Sequence, residues 1–567
     1  MKALVLDFYV DEPACFGVPP YLSPYARYSA GALVCGGLRE SQIDYLTVDQ
    51  LRAQGFQLKE NYELIVLVAG TTVPGKYLGG VIGTVSEVLK FLDVAITTKQ
   101  EPVVLIGGPI KYASREIQNQ ISEKGGLLVK GDIEKYCEVV ITSGISNFAS
   151  KARNGSLTQK RTYEDVDRYA VAGAFLTNLH PNFPHLILEM ETYRGCTRDT
   201  FCSFCTEAFY GKPVFRSLQG ILEEFKVLHE MGNYYYRIGR QADIMTYLPH
   251  MDDFQNTFPR PNPSSLFDLY SGIRNVAPNL KLLHLDNMNP GLIATFPKES
   301  EEILKIITEY NTEGDTAAMG IESADETVIA KNDLKCTKEE ALFAIELVNK
   351  YGSRRVNGIP KLLPGLNLLG GLEGETIHTF EKNFQFLKSI LDQDLLLRRI
   401  NIRRAVRYEN TKLDRSTLDK KTFQARENRF YYYRDRIRKE IDEPMLKKTF
   451  PIGSLLNGVL LEQEKSGYAY GRPLGSYPIT VKIPNLSKEK FAFQKEMSVV
   501  ITGFQGRSIF GLPHPIPLNQ LSDIGLREIP GISKNQASLV KANGPYLSRE
   551  EFETKNSDIK VTADLVF

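Results

Sequence analysis

Three cysteines fall within ten residues of one another, Cys196, Cys202 and Cys205, in the stretch Glu191-Thr192-Tyr193-Arg194-Gly195-Cys196-Thr197-Arg198-Asp199-Thr200-Phe201-Cys202-Ser203-Phe204-Cys205. Thiolate is a soft ligand, and three thiolates on one short loop can hold a metal centre while leaving a coordination position open to a substrate. A structural zinc site completed by His180 or His185 would use the same ligand types. Such sites are usually built from two spaced pairs, and the chain has no second Cys-x2-Cys.

The apolar run at residues 186–188 places this loop after a strand, and an aromatic residue, Phe204, precedes the last cysteine. The arrangement resembles the radical S-adenosylmethionine (SAM) superfamily, whose usual spacing is Cys-x3-Cys-x2-Cys; here the first interval is two residues longer. The resemblance implies that the three cysteines ligate three irons of a [4Fe-4S] cluster. SAM then chelates the fourth iron, and one electron from an external reductant releases a 5'-deoxyadenosyl radical.

Four downstream segments resemble the strand ends of that family in order. Tyr236-Arg237-Ile238-Gly239-Arg240-Gln241 lies where Gly239, Arg240 and Gln241 would meet the SAM amino group, although the Gly-Gly-Glu-Pro common there is missing. In Met319-Gly320-Ile321-Glu322-Ser323-Ala324-Asp325, Glu322 and Ser323 would orient ribose or amino groups through charge-assisted hydrogen bonds; the same residues also read as the start of a helix with a capping box. Leu362-Leu363-Pro364-Gly365 and the glycines at 370, 371 and 374 resemble the fifth strand and its loop, with Pro364 and Gly365 close to adenine. Arg398-Arg399-Ile400-Asn401-Ile402-Arg403 alternates as a sixth strand, and Asp286 and Asn289 end the third, pointing toward a substrate.

The elements that must carry these residues exceed one core, because the chain has 567 residues. Over residues 1–165, apolar runs at 3–8, 64–68, 103–106 and 139–141 read as buried strands and 80–92 and 114–124 as helices. That alternation predicts a Rossmann-like parallel α/β sheet, and its layout resembles the domain that precedes the radical SAM core in cobalamin-binding and methylthiotransferase relatives. Loops 69–75 and 107–109 would sit at its carboxyl edge. Cobalamin is therefore a further candidate cofactor, but the first histidine of the chain is His180, so this segment offers it no imidazole. Cys15, Cys35 and Cys137 depart from the spacing of a second cluster and read as packing residues. Residues 151–167 read as a polar linker. Residues 171–440 are expected to form the partial (β/α)6 core, 450–515 a small β-barrel resembling the TRAM module, and 519–567 a helix-hairpin-helix around Ile529-Pro530-Gly531-Ile532-Ser533-Lys534, where Ser533 replaces the usual second glycine.

Net charge is +1, yet residues 401–567 carry 28 Lys+Arg against 19 Asp+Glu. A basic C-terminal third suits a polyanion, and Tyr468, Tyr470, Arg472, Tyr477 and Arg507 offer rings and cations to bases and phosphates, or else fill a barrel core. No stretch reaches the length of a membrane span and the start shows no signal-peptide pattern, which with the sparse cysteines predicts a cytoplasmic protein. The whole resembles a mainly archaeal group of radical SAM proteins with a C-terminal helix-hairpin-helix. It implies a radical SAM enzyme modifying RNA, tRNA foremost, by methylation, methylthiolation or related chemistry. The alternatives are modification of a protein substrate, and a nucleic-acid-binding protein with a structural or redox-sensing metal.

Overall fold

Runs such as Ala3-Leu4-Val5-Leu6 and Leu64-Ile65-Val66-Leu67-Val68 have no polar alternation, so both faces of their strands must be covered. In the computed structural model they are. It describes every residue except 13–14, 71–78, 97–100, 153–154, 156, 415–419, 487–494 and 562. Two compact units form: Met1–Met288 with Lys298–Tyr310 and Val406–Ser416, and Asn289–Pro297 with Asn311–Ala405 and Thr417–Phe567.

The first unit begins with β1 (Ala3–Asp7), α1 (Pro24–Cys35), β2 (Ile43–Thr47), β3 (Leu64–Val68), β4 (Val103–Gly107), β5 (Leu127–Leu128), α2 (Ile133–Ser143) and α3 (Tyr163–Ala172). Its strands are parallel in the order β2-β1-β3-β4-β5, a doubly wound sheet. Residues 139–141, read from their apolar run as a strand, lie inside α2 instead. Ile133, Cys137 and Val140 recur at helical spacing and are buried on one face, so the longer period wins over the short run. The helix expected at 80–92 is Val85–Ile96, begun by a reciprocal bond pair between Thr84 and Glu87. The segment expected as a linker already contains the start of α3, capped by Thr162 and Asp165. Of the loop at 69–75, residues 71 onward lie outside the described residues, as does the side chain of Cys15; Cys137 is fully buried.

A second parallel sheet follows in the same unit: β6 (Ile187–Glu191), β7 (Tyr235–Arg240), reached through α4 (Leu218–Glu230), and β8 (Leu282–Leu285). Its order is β8-β7-β6, extended beyond β6 by Tyr21–Leu22. Helix α1 is buried almost all round and touches strands of both sheets. It can come close to α3 only because glycines meet there. A Cβ on Gly31 would lie 1.9 Å from the Tyr169 carbonyl oxygen, and one on Gly173 1.9 Å from that of Arg27.

The second unit holds β9 (Asp315–Glu322), α5 (Lys338–Gly352), β10 (Leu362–Gly370), α6 (Ile377–Asp392) and β11 (Arg399–Arg404), with the three strands parallel in that order, then α7 (Lys420–Ile437). Next come β12 (Leu455–Lys465), β13 (Tyr468–Pro473), β14 (Thr480–Pro484), β15 (Glu496–Gln505) and β16 (Ser508–Pro513), closed into the expected small barrel in the order β12-β13-β14-β16-β15. Its strands alternate as a half-buried surface should. Ala469, Val481, Ile483 and Ile509 fill the interior, while Tyr468, Tyr470, Lys482 and Phe510 between them are partly exposed. Of the five residues expected to meet nucleic acid, Arg472 pairs with Glu462 at 2.7 Å, Arg507 meets Asp442 at 3.3 Å, and Tyr477 lies under the Arg399 guanidinium. The tail adds α8 (Asp523–Arg527), α9 (Lys534–Asn543) and α10 (Arg549–Lys555), with Gly531 at φ +94° between the first two. Ser533 caps α9 through a reciprocal pair with Gln536, which explains a serine where a second glycine was expected. The fold class is thus α/β with parallel sheets and a radical SAM-like layout, as the sequence implies. Among the described residues no helix is long and apolar enough to cross a membrane.

The α1–α3 crossing gives a direct check. Gly31→Ala forces two backbones apart, and chemical denaturation is expected to show a loss of about 1–3 kcal/mol. A midpoint equal to wild type would show that the helices separate without cost.

Candidate functional site

The cysteine loop leaves the carboxyl end of β6 and is closed at its base by a two-stranded clasp, Tyr193–Arg194 against Val214–Phe215. Gly195 has φ +93°, and a Cβ there would lie 3.0 Å from the Gly211 carbonyl oxygen, so the entry to the loop requires glycine. Within it the Cys205 N–H donates to the Cys202 carbonyl at 3.1 Å. All three cysteines are partly exposed and none is in a disulfide. Burial pushes the Cys205 thiol well above its usual range, and Cys202, Glu207 and Cys196 add to the shift. A thiolate at Cys205 would need a cation beside it, which fits a metal cluster.

Among the described residues no three His, Cys, Asp or Glu groups converge where a single metal ion would sit. His180 is buried, its imidazole pushed down to about 3 by desolvation and its Nδ1 accepting from the Asn182 N–H at 3.0 Å. His185 stands against the ring of Tyr235.

The two extra residues of the first interval are fastened. The Asp199 N–H donates to the Thr257 carbonyl at 3.1 Å, and the Arg198 guanidinium lies 5.4 Å from the ring of Phe258, both on the hairpin His250–Gln255/Phe258–Arg260. Arg198 Nη1 approaches Cys202 Sγ at 3.5 Å. Sequence reasoning missed Arg198; an arginine between two of the clustered cysteines was the signal.

Gly239, Arg240 and Gln241 stand at the end of β7 as expected, and each is already engaged. A Cβ on Gly239 would fall 1.7 Å from Glu189 Oε2, so this glycine makes room for a buried carboxylate. Arg240 donates to Tyr25 OH at 3.0 Å and Tyr210 OH at 2.9 Å and meets Glu207 at 3.3 Å. It thereby fixes the turn Thr206–Tyr210 that follows Cys205. Gln241 Nε2 donates to the Ile238 carbonyl at 2.8 Å, and its own carbonyl accepts from Asn287 at 3.1 Å. Asp286 belongs to a buried triad in which Arg237 binds both it and Glu189. Burial, with Asp286 adding to it against the pull of Arg237, raises the Glu189 carboxyl to about 7.

In the second unit Glu322 ends β9 at φ +60°, a conformation that non-glycine residues seldom hold. A bulge between Gly320 and Glu322 in the pairing with β10 produces it, and Gly320 is bare because a Cβ there would meet Glu322 Oε1 at 2.3 Å and Lys335 Nζ at 3.2 Å. Burial raises the Glu322 carboxyl to about 7 although Lys335 and Arg403 pull it down. Backbone strain and a displaced carboxyl at a strand's carboxyl end single out Glu322 as a candidate functional residue. Ser323 instead serves the turn: its Oγ donates to Asn383 at 3.3 Å and accepts from the Asp325 N–H at 3.1 Å. Asp325 caps the next helix, Glu326–Lys331. Pro364 and Gly365 lie in the first half of β10, opposite Ala317 and Ala318 of β9, where a Cβ on Gly365 would meet Thr316 at 2.6 Å; the carboxyl end of β10 is Leu368–Gly370. Asn289, expected to face a substrate, caps Pro290–Thr295 by accepting from the Gly291 N–H.

Two measurements follow from this geometry. Reconstituted anaerobically, the wild-type chain is expected to take up about four irons. Cys202→Ala should hold fewer than about one, and Arg240→Leu an intermediate number because its cysteines remain but the turn behind them loosens; zinc in place of iron would overturn the cluster. The second concerns pH. Folded Glu322 keeps its proton to about 7 against an ordinary 4.5, so the native state binds more protons between those values and stability falls as pH rises through them. Glu322→Gln is expected to flatten that fall by up to ~3 kcal/mol, and a curve parallel to wild type would contradict the assignment.

A family model described as the radical SAM superfamily matches residues 190–387. An uncharacterised protein of Methanocaldococcus jannaschii is 39% identical over 526 residues, covering 90% of this chain and 93% of that one. An uncharacterised protein of Archaeoglobus fulgidus is 39% identical over 484 residues, covering 85% of each. Among solved structures, the radical SAM methyltransferase TsrM of Kitasatospora setae, with cobalamin and a [4Fe-4S] cluster bound, superposes with a TM-score of 0.47 at 14% identity, covering 73% of this chain and 74% of that one. The cobalamin-dependent SAM radical enzyme OxsB, with aqua-cobalamin and SAM bound, gives 0.44 at 13% identity, covering 77% and 56%. The chain belongs to one family with the two archaeal proteins, and its residues 190–387 form a radical SAM domain, for which a [4Fe-4S] cluster and S-adenosylmethionine are the cofactors.

Proposed function

We propose that this protein is a cytoplasmic transferase that modifies RNA, tRNA foremost, by methylation, methylthiolation or related radical chemistry. The observation that carries the reading is one chain joining the cysteine loop to a C-terminal third that has nine more basic than acidic residues and contains a closed five-stranded barrel. A basic excess of that kind favours polyanions.

When bound, the cluster supplies the electron that cleaves SAM, and with it the power to attack an unactivated C–H bond. The chain's own residues hold and orient. Cys196, Cys202 and Cys205 are the ligands, and an Arg198 N–H aimed at the Cys202 sulfur stabilises negative charge there, which favours the reduced state. Glu322, able to be neutral or ionised near neutral pH, can accept from a ribose hydroxyl or pair with an ammonium. Cobalamin, the further candidate cofactor, would use the switch point of the N-terminal sheet between β1 and β3. Residues 1–165 contain no histidine, so it would be held there without an imidazole from that segment.

Nucleosides of tRNA from a strain lacking the gene, compared by mass spectrometry with the parent, are expected to lack one modified species. An unchanged profile would overturn the RNA reading, and reduced, reconstituted protein that releases no 5'-deoxyadenosine from SAM would overturn the enzyme reading as a whole.

A further inference from the structure

We infer that the outer face of β13, β14 and β16 is a stacking platform for single-stranded RNA; the inference rests on the RNA reading above. The strand register brings the residues into one row. Tyr470 of β13 is opposite Lys482 of β14, and Lys482 is opposite Phe510 of β16. All three are partly exposed, whereas their neighbours Ala469, Val481, Ile483 and Ile509 are buried inside the barrel. The Lys482 ammonium is 5.8 Å from the centre of the Tyr470 ring and 5.5 Å from that of Phe510. Tyr468, two residues before Tyr470 and so on the same face, adds a third ring 5.9 Å from Phe510.

Rings that only fill a core would point inward, as the sequence alone allowed. These point out, and a lysine stands between two of them. The barrel's closure explains why they are here: strand order β12-β13-β14-β16-β15, with β14 and β16 parallel, is the five-stranded Greek-key barrel whose second and third strands and whose first and last hairpin loops meet oligonucleotides. The last hairpin loop, between β15 and β16, presents Arg507 with its side chain 61% exposed and 3.3 Å from Asp442. Glu528 closes the rim beside Tyr468 and keeps phosphates off that side.

A protein partner would want a continuous apolar patch, and a lysine in its middle would have to be stripped of water. A nucleic acid gives each ring a base face and the lysine a phosphate. The bases must be unstacked to reach the rings, so the partner is a single strand or a loop, not a duplex.

The test is fluorescence anisotropy with the full-length protein and a labelled oligouridylate of about ten nucleotides, read across salt from about 50 mM upward. Tyr470→Ala and Phe510→Ala are each expected to weaken binding about tenfold, Tyr470→Phe to match wild type, and Lys482→Gln to lower the slope of log affinity against log salt by about 0.7. Tyr470→Leu keeps bulk without a ring and is expected to bind as poorly as the alanine variant, which separates stacking from damage to the barrel. Tyr432→Ala, which removes an exposed ring of α7, is expected to bind as wild type. Affinities of the Tyr470→Leu and Phe510→Ala variants within twofold of wild type would overturn this face while leaving the RNA reading to the nucleoside profile. Equal competition by duplex RNA would overturn the single-strand assignment. Absence of salt-dependent binding by the wild-type protein would overturn both.

Discussion

The cysteine loop is held by two carboxylates that see no water, Glu189 and Glu191, two residues apart on the strand that launches it. A buried carboxylate must find a cation or keep its proton, and these two take opposite courses. Burial alone would raise Glu191, but Arg161, Arg194 and Arg240 surround it, and with the Arg161 hydrogen bonds they hold it at about 2. Glu189 has Arg237 but also Asp286, and burial leaves it near 7. The four cations come from three parts of the unit: Arg161 precedes α3, Arg194 belongs to the clasp and reaches Asp132 at 2.9 Å, and Arg237 and Arg240 lie on β7. Withdrawing one partner from such a pair costs about 3–5 kcal/mol. The path of β6 into the loop is therefore over-determined before any cofactor binds.

The second unit meets the same constraint by a different route. Among the described residues no arginine hydrogen-bonds the Glu322 carboxyl, and its backbone is bent out of the strand. The surroundings compensate. Asn383 receives the Ser323 hydroxyl and the Ala324 N–H, and Thr379 and Lys382 bind Asp325, so the residues after Glu322 are tied down to α6. Strain of this kind persists only where such ties exist. Ser323 and Asp325 thus support the turn, and Glu322 is the residue the turn presents.

What the sequence disclosed depended on how local the signal was. Buried parallel strands announce themselves as unbroken apolar runs, and β1, β3 and β4 were legible for that reason; the barrel was legible from its alternating strands broken by Gly and Pro, and β9 only through the resemblance of its last residues. The Val139-Val140-Ile141 run misled because a short apolar stretch has no period of its own until Ile133 and Cys137 are counted with it. Pro364 and Gly365 were expected close to adenine, yet both residues sit in the first half of a strand, where Gly365 allows Thr316 and Arg399 to pack across it. Long-range partners left no trace at all. Arg240 could be placed at a strand end, but Tyr25 lies 215 residues away in sequence, and nothing near either residue names the other.

The irregular cysteine spacing was the least regular feature of the chain, and its physics runs contrary to first expectation. A longer loop should be a looser one, since each added residue brings backbone entropy that ligands must overcome. Here the added length reaches a support that a shorter loop would not need: Asp199 bonds to Thr257, Arg198 stacks on Phe258, and the hairpin carrying both residues is itself pinned through Arg260 to Asp253 and Glu299. The insertion also brings a guanidinium to Cys202. Lengthening the interval thus exchanges conformational freedom for a fixed positive charge beside one of the three sulfurs. That is a change in the electrostatics of the cluster site as much as in its shape.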